Sequence, residues 1–230
     1  GISQANGNHY TVLRYCPICY QEDLAQYGEP YWHCSHQLPD MQLCVKHRCW
    51  LVDTDAVCLH NRQGELFPAT FTMHLAQPPI APIPDSLFAL HQLLLDTIDA
   101  PFDFKDGTVY YDVIGRALLS RGWRSPTGGR TYATKVEGAL LNLYGTSIPA
   151  GDISAKQLHA TLSRKSVAPR YILQLAVLFG LSLSELLTPP RGPAPDYKKE
   201  MQEMYRAGVS MYHIAQLYGT DAKTVARWVK

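Results

Sequence analysis

A mainly α-helical protein, with a small β/knuckle module at the front and helical domains that include a C-terminal helix-turn-helix, is the fold class that three features of the sequence predict. All six cysteines fall within residues 1–60, among them the pairs Cys16-Pro17-Ile18-Cys19 and Cys44-Val45-Lys46-His47. Apolar residues recur at helical spacing in several stretches between residues 86 and 188. Residues 197–230 then read as helix, turn, helix, turn, helix, with capping residues and glycines at the expected breaks.

The front module, residues 1–60, carries the most specific pattern. Two ligands three residues apart can come from one tight knuckle, because the turn points both side chains the same way, and Pro17 fixes its own backbone angle there. Cys44-Val45-Lys46-His47 repeats the device, at the start of a helix in this reading. Zinc takes four soft or borderline ligands in a tetrahedron, and Cys16, Cys19, Cys44 and His47 are such a set. The alternative is a redox cysteine pair or unrelated core thiols. With all four positions filled by protein, the ion is structural and leaves no open site for water or substrate. Its binding then contributes folding free energy to a segment too small to fold alone.

The intervening residues 20–43 include YWHCSHQL, which reads as a strand or hairpin. Cys34, Cys49 and Cys58 read as small buried hydrophobes. His33 and His36 read as surface or core hydrogen-bonding groups. A second metal site built from Cys34, His36, Cys49, Cys58 and His60 is badly spaced.

Residues 61–85 are proline-rich (FPATFTMHLAQPPIAPIPDS) and read as a linker or an extended layer. Residues 86–188 read as a helical DNA-binding or packing domain. Its first helix, SLFALHQLLLDTID, takes Ser86 as N-cap, with apolar residues at 87, 90, 94, 95 and 98. TYATKVEGALLNLYG and APRYILQLAVLFG repeat the pattern and end at Gly145 and Gly180. LAVLFGLSLSELL is similar to the closing helices of repressor-type helix-turn-helix folds, where they pack and do not read bases. Two basic clusters, Arg121, Arg124 and Arg130, then Arg164, Lys165 and Arg170, lie beside glycine and serine and suit phosphate contacts; the alternative is a solvated loop.

Residues 189–196 form a second linker. In residues 197–230, Ser210 caps one helix, Thr220 or Asp221 caps the next, and Gly208 and Gly219 sit at the turns. Ile214, Ala215, Leu217, Val225 and Trp228 fit a small three-helix core. The pattern GxSxxxIAxxxGxxxxTVxRWxK resembles the helix-turn-helix of resolvase and homeodomain-like modules, and the resemblance implies a last helix in the major groove, with Asp221, Ala222, Lys223, Thr224 and Arg227 outward. Arg227 suits a guanine edge or a phosphate, and Lys223 and Lys230 suit phosphate. An ordinary bundle with a charged, solvated face is the alternative.

Composition bounds the function. A net charge of +1 argues against an indiscriminate nucleic-acid coat but leaves room for a local basic face, and 46% apolar residues suffice to bury cores. The longest apolar stretch, at 90–98, is too short to cross a bilayer. No signal peptide is visible, and the lack of an initiator methionine suggests a piece of a longer protein. No H-E-x-x-H, no H-x-E with P-C-x-x-C and no D-D-E arrangement is evident, so no enzyme is expected and no small-molecule substrate.

The stretch RYCPICYQEDLAQYGEPYW…LPDMQLCVKHRCWLV resembles the zinc-binding segment of the TniQ/TnsD family, the target selectors of multi-protein bacterial transposons. The resemblance rests on Cys16-Pro17-Ile18-Cys19, Tyr31-Trp32, Leu38-Pro39 and Cys44-Val45-Lys46-His47. LLSRGWRSPTGGRTYATKVEGALLNLYG and PRYILQLAVLFG are similar to the helical middle of the TnsD branch, while the family's N-terminal helical region has no counterpart. The resemblance implies a Zn2+-bearing cytoplasmic, nucleoid-associated protein that binds double-stranded DNA at an insertion site and recruits an AAA+ ATPase regulator of the transposase. It also leaves open an adaptor of the RNA-guided kind, which binds an effector complex in place of DNA.

Overall fold

The computed structural model describes residues 12–57, 81–100, 109–125, 131–147, 154, 158, 169–188, 196–218 and 221–229. It divides into two compact units, Gly1–Phe102 and Asp103–Lys230. The described residues are mainly helical, with two short two-stranded sheets confined to the first unit.

In the first unit, β1 (Val12–Tyr15) pairs antiparallel with β4 (Val52–Val57), with Arg14 opposite Asp53 and Tyr15 opposite Val52. α1 (Pro17–Tyr27) follows β1 directly, with Cys16 as its N-cap and Pro17 in its first turn, where a missing N–H costs nothing. Gly28 ends it at φ 81°, a left-handed backbone that glycine adopts without a Cβ clash. The YWHCSHQL stretch, expected to be a strand or hairpin, is instead a 3-10 turn over Cys34–Gln37. Its side chains explain the difference. Gln37 accepts from the Arg14 N–H at 3.0 Å and donates to the Arg14 carbonyl at 2.6 Å, so among the described residues a side-chain amide takes the place of a strand on that edge of β1.

β2 (Leu43–Cys44) and β3 (Cys49–Trp50) form a tight hairpin in which Cys44 faces Cys49. The second knuckle is therefore the turn of a hairpin and not the helix start that its sequence suggested. Arg48 takes φ 48° to close it. α2 (Asp85–Asp99) belongs to this first unit, whereas the sequence groups it with the helices that follow. Trp50 Nε1 donates to the Ala81 carbonyl at 2.8 Å, Arg48 pairs with Asp85, and the Arg48 guanidinium lies 4.8 Å from the Phe88 ring centre. α2 starts one residue before Ser86, with Pro84 as N-cap. It buries Leu87, Leu90, His91 and Leu93 and leaves Ile98 exposed. The buried stripe is thus rotated relative to the expected one, because His91 turns inward and its Nδ1 donates to the Leu87 carbonyl at 2.7 Å.

In the second unit, α3 (Val109–Ser120) packs against α5 (Pro169–Phe179) and α6 (Leu183–Leu187), and α4 (Ala133–Tyr144) packs against α5. The core holds Ile114, Leu118, Val136, Leu140, Leu173, Leu175 and Ala176. Gly145 and Gly180 take positive φ at the ends of α4 and α5. Ser182 and Glu185 form a reciprocal capping box at the start of α6.

α7 (Tyr197–Arg206), α8 (Met211–Leu217) and α9 (Ala222–Val229) surround Met201, Ile214, Ala215, Val225 and Trp228. Ala215 is small where helices meet, and Trp228 is buried as its spacing predicts. Leu217, expected in this core, is 57% exposed, because the core face of a helix this short is filled by Ile214 and Ala215. Side-chain caps start all three helices. Asp196 accepts from the Lys199 N–H, Ser210 from the His213 N–H and Asp221 from the Thr224 N–H, at 3.1, 3.2 and 2.8 Å. Asp221 thus caps α9, and Thr220 lies outside the described residues.

Ile214 has no solvent exposure and sits at the centre of this small cluster. Ile214→Ala is expected to cost about 2–5 kcal/mol. Hydrogen exchange should show amides of α7, α8 and α9 losing protection together; a loss confined to α8 would contradict a shared core.

Candidate metal centre

The site is assembled by the start of one helix and the turn of one hairpin. Cys16 is the last residue before α1 and Cys19 lies in its first turn, so their sulfurs lie on the same side of the helix start, and the Cys19 N–H points at Cys16 Sγ at 3.5 Å. Cys44 is the last residue of β2, and His47 sits in the turn that leads to β3. Cys16, Cys19 and Cys44 are buried, His47 is half-buried, and their four ligand atoms all lie within 4.8 Å of one another.

These separations fit one tetrahedral ion. Bonds of about 2.3 Å to sulfur and about 2.0 Å to nitrogen set sulfur–sulfur edges of about 3.8 Å and sulfur–nitrogen edges of about 3.5 Å. Cys19 Sγ lies 3.7 Å from Cys44 Sγ. His47 Nδ1 lies 3.4 Å from Cys16 Sγ, 3.3 Å from Cys19 Sγ and 3.6 Å from Cys44 Sγ. Three soft sulfurs and one imidazole nitrogen form a group able to hold a metal ion, and that donor set suits zinc.

The surrounding groups orient the ligands. His47 turns its other nitrogen, Nε2, to Glu22 Oε1 at 3.0 Å, which leaves the Nδ1 lone pair facing the sulfurs. Glu22 also accepts from Lys46. Hydrogen bonds from Lys46 and then His47 lower the Glu22 pKa, so the carboxylate is ionised. Among the sulfurs, hydrogen bonding from Cys19 and Cys44 pulls the Cys16 thiol pKa down, and the helix-start N–H of Cys19 adds to it. The Cys19 thiol goes up through its bond to Cys16, and Cys44 is raised to about 11 for the same reason. One thiolate therefore suppresses its neighbours unless a cation neutralises all three, as a divalent ion would.

The sequence does not tie three neighbouring groups to this cluster: Cys49 reads as a small buried hydrophobe, His36 as a hydrogen-bonding group, and Glu22 is not singled out. Cys49 places its sulfur 3.4 Å from Cys16 Sγ but is not one of the four converging ligands. Burial, then the bond to Cys16, raises its pKa and keeps it a protonated thiol. The hairpin register that sets Cys49 opposite Cys44 was the missing signal. Glu22 stands one helical turn after Cys19, a spacing that points to the site once α1 is known. His36 is buried with Nε2 3.9 Å from Cys19 Sγ, and burial lowers its pKa to about 4. His33 pairs with Asp23 at 2.9 Å. Cys34 is exposed, since the 3-10 turn directs it outward, and so does not fit the reading of a buried hydrophobe. Cys58 and His60 lie outside the described residues.

The residues assigned to DNA are distributed differently. In α9, Lys223 and Arg227 are exposed. Thr224 is half-buried, and its hydroxyl donates to Asp221 Oδ2 at 3.0 Å. In the middle region, Arg121 donates to the Leu178 carbonyl near the end of α5 at 3.3 Å, and its guanidinium lies 4.9 Å from the Phe179 ring centre and 5.5 Å from that of Trp123. Arg124 packs its guanidinium tightly against Gly115. Arg170 donates to the Tyr171 hydroxyl at 2.9 Å. These intramolecular roles compete with phosphate contacts. Arg130, Arg164, Lys165 and Lys230 lie outside the described residues.

The TniQ family model matches residues 3–51, a span that contains all four converging ligands. The match supports the TniQ family, which is associated with target selection in transposition. None of the curated proteins matches the chain. No described helix is long and apolar enough to cross a membrane.

Glu22→Gln removes the carboxylate that holds His47 but no ligand, and should weaken metal affinity about 10–100-fold. Competition with a chromophoric chelator measures this, and unchanged affinity would separate Glu22 from the site. Cys16→Ser or His47→Ala should abolish stoichiometric binding and unfold the front module, visible as lost amide protection across residues 12–57.

Proposed function

We propose that this chain is a DNA-binding target selector for transposition, whose front module holds a structural zinc and serves as a docking surface for an AAA+ ATPase regulator of the transposase. The observation that carries the reading is the four-ligand cluster within the stretch matched by the TniQ family model. A closed ligand set supplies geometry and folding energy in place of chemistry.

The DNA contact is assigned to α9. Its buried side, Val225 and Trp228, fixes it to α7 and α8, and its exposed side presents Lys223 and Arg227. With Asp221 and Thr224 bonded to each other at the helix start, Arg227 is the residue best suited to a base edge or a phosphate, and Lys223 to a phosphate. Three short capped helices around one apolar cluster fit a helix-turn-helix whose last helix enters the major groove. Lys230 and the basic residues of the middle region add phosphate contacts in this reading, subordinate to α9 where their guanidiniums are already engaged. The selector contributes affinity and position, and the recruited ATPase passes the site on to the transposase. A cytoplasmic, nucleoid-associated location follows from that role.

Arg227→Ala should cost about 1–3 kcal/mol on a specific site, and Lys223→Ala should weaken binding to all duplexes and reduce the salt slope by about 1. Footprinting and salt-dependent gel shifts read both. A chain that ignores every duplex at low ionic strength, yet still binds the ATPase or an RNA-guided effector complex, would overturn the DNA reading in favour of the adaptor.

A further inference from the structure

We propose that Cys49 and Cys16 form an oxidisable pair, so that a hydroperoxide joins the two sulfurs as a disulfide and releases the metal from the front module. The inference rests on the metal reading above, since its consequence is loss of one ligand.

Geometry carries it. Cys49 Sγ lies 3.4 Å from Cys16 Sγ, in van der Waals contact, on the edge of a two-residue strand that follows the His47 turn. Cys49 is half-buried while Cys16 is completely buried, so Cys49 is the solvent side of the pair. It is also surplus to the tetrahedron. The four ligand atoms lie together without it, so an ion loaded there leaves Cys49 a free thiol beside a bound thiolate. Cys19 and Cys44 would both be held as ligands by an ion in the cluster. Among the described residues, Cys49 is the sulfur near Cys16 with no such duty.

The chemistry balances with hydrogen peroxide as the oxidant. Cys49, on the solvent side, gives up its thiol proton and its sulfur attacks one peroxide oxygen; the O–O bond breaks, and the departing hydroxide takes that proton to leave as water. The resulting Cys49 sulfenic acid lies beside the Cys16 sulfur. The Cys16 thiolate attacks the Cys49 sulfur; the S–S bond forms, the S–O bond breaks, and the departing hydroxide takes a proton from solvent to leave as a second water. The two sulfurs lose two electrons in total and the peroxide gains them. Cys19, Cys44 and His47 remain, and a three-ligand site holds the ion weakly. A dithiol reductant reverses the change by exchange at the disulfide, and added zinc restores the site.

The test uses the whole chain, purified with its metal and exposed to hydrogen peroxide. Metal release is followed with a chromophoric chelator, and disulfides are mapped by mass spectrometry of an unreduced digest. The expected result is a Cys16–Cys49 linked peptide that appears in step with metal release, and recovery with dithiothreitol and zinc. Cys49→Ala should slow release about tenfold or more and leave Cys16 unlinked at the same peroxide dose. Cys49→Ser, which keeps a polar group of similar size, should match Cys49→Ala and guards against a packing defect. Linkage of Cys16 to Cys19 or Cys44, or equal release rates in wild type and both variants, would overturn the proposal. A wild-type chain that carries no metal would overturn the metal reading, while the digest would still report whether Cys16 and Cys49 pair.

Discussion

Three cysteine sulfurs and an imidazole nitrogen packed at tetrahedral spacing are the constraint on which the front of the molecule depends. The strands around them are two to six residues long, and α1 spans three turns. Elements this short bury little apolar surface, and the clusters around Tyr15 and around Cys16 are correspondingly small. The β1–β4 ladder, with Tyr15 opposite Val52, joins the helix start to the hairpin over a few residues. An ion held by both would be a further link, and the thiolates it would neutralise are groups that otherwise oppose one another's ionisation. Glu22 extends the same logic outward, tying His47 back to α1 and fixing which nitrogen faces the sulfurs.

The second unit solves its stability problem differently. Its helices close on apolar clusters, and their ends are satisfied by side-chain caps at Asp196, Ser182, Ser210 and Asp221. The three terminal helices need their caps because each is seven to ten residues long, below the length at which an isolated helix holds in water. The caps also shape the exposed surface. The Asp221–Thr224 bond starts α9 cleanly but occupies the Thr224 hydroxyl, so the exposed chemistry of that helix narrows to Lys223 and Arg227.

What the sequence revealed follows the range of the forces involved. The grouping of Cys16, Cys19, Cys44 and His47 was legible because metal chemistry demands particular residue types at short spacing. Helices α4 and α5 were legible from periodicity and terminal glycines, and the caps of α8 and α9 from Ser210 and Asp221. Long-range contacts were not. Nothing local reveals that Gln37 hydrogen-bonds the backbone of β1, that Arg48 and Trp50 hold α2 to the first unit, or that hairpin register brings Cys49 to Cys16. Nor does a run of arginines distinguish a phosphate-binding edge from Arg121 stacked on Phe179. α3, within a region read as helical, offered no single stretch that stood out, because its inward residues Tyr111, Ile114, Gly115 and Leu118 mix sizes and polarity.

X-ray absorption at the zinc edge, on the chain purified from cells without added metal, reads the donor set of the cluster itself. One zinc per chain is expected, with three sulfurs at about 2.3 Å and one nitrogen at about 2.0 Å. A metal-free protein, or a first shell of oxygen donors, would contradict it.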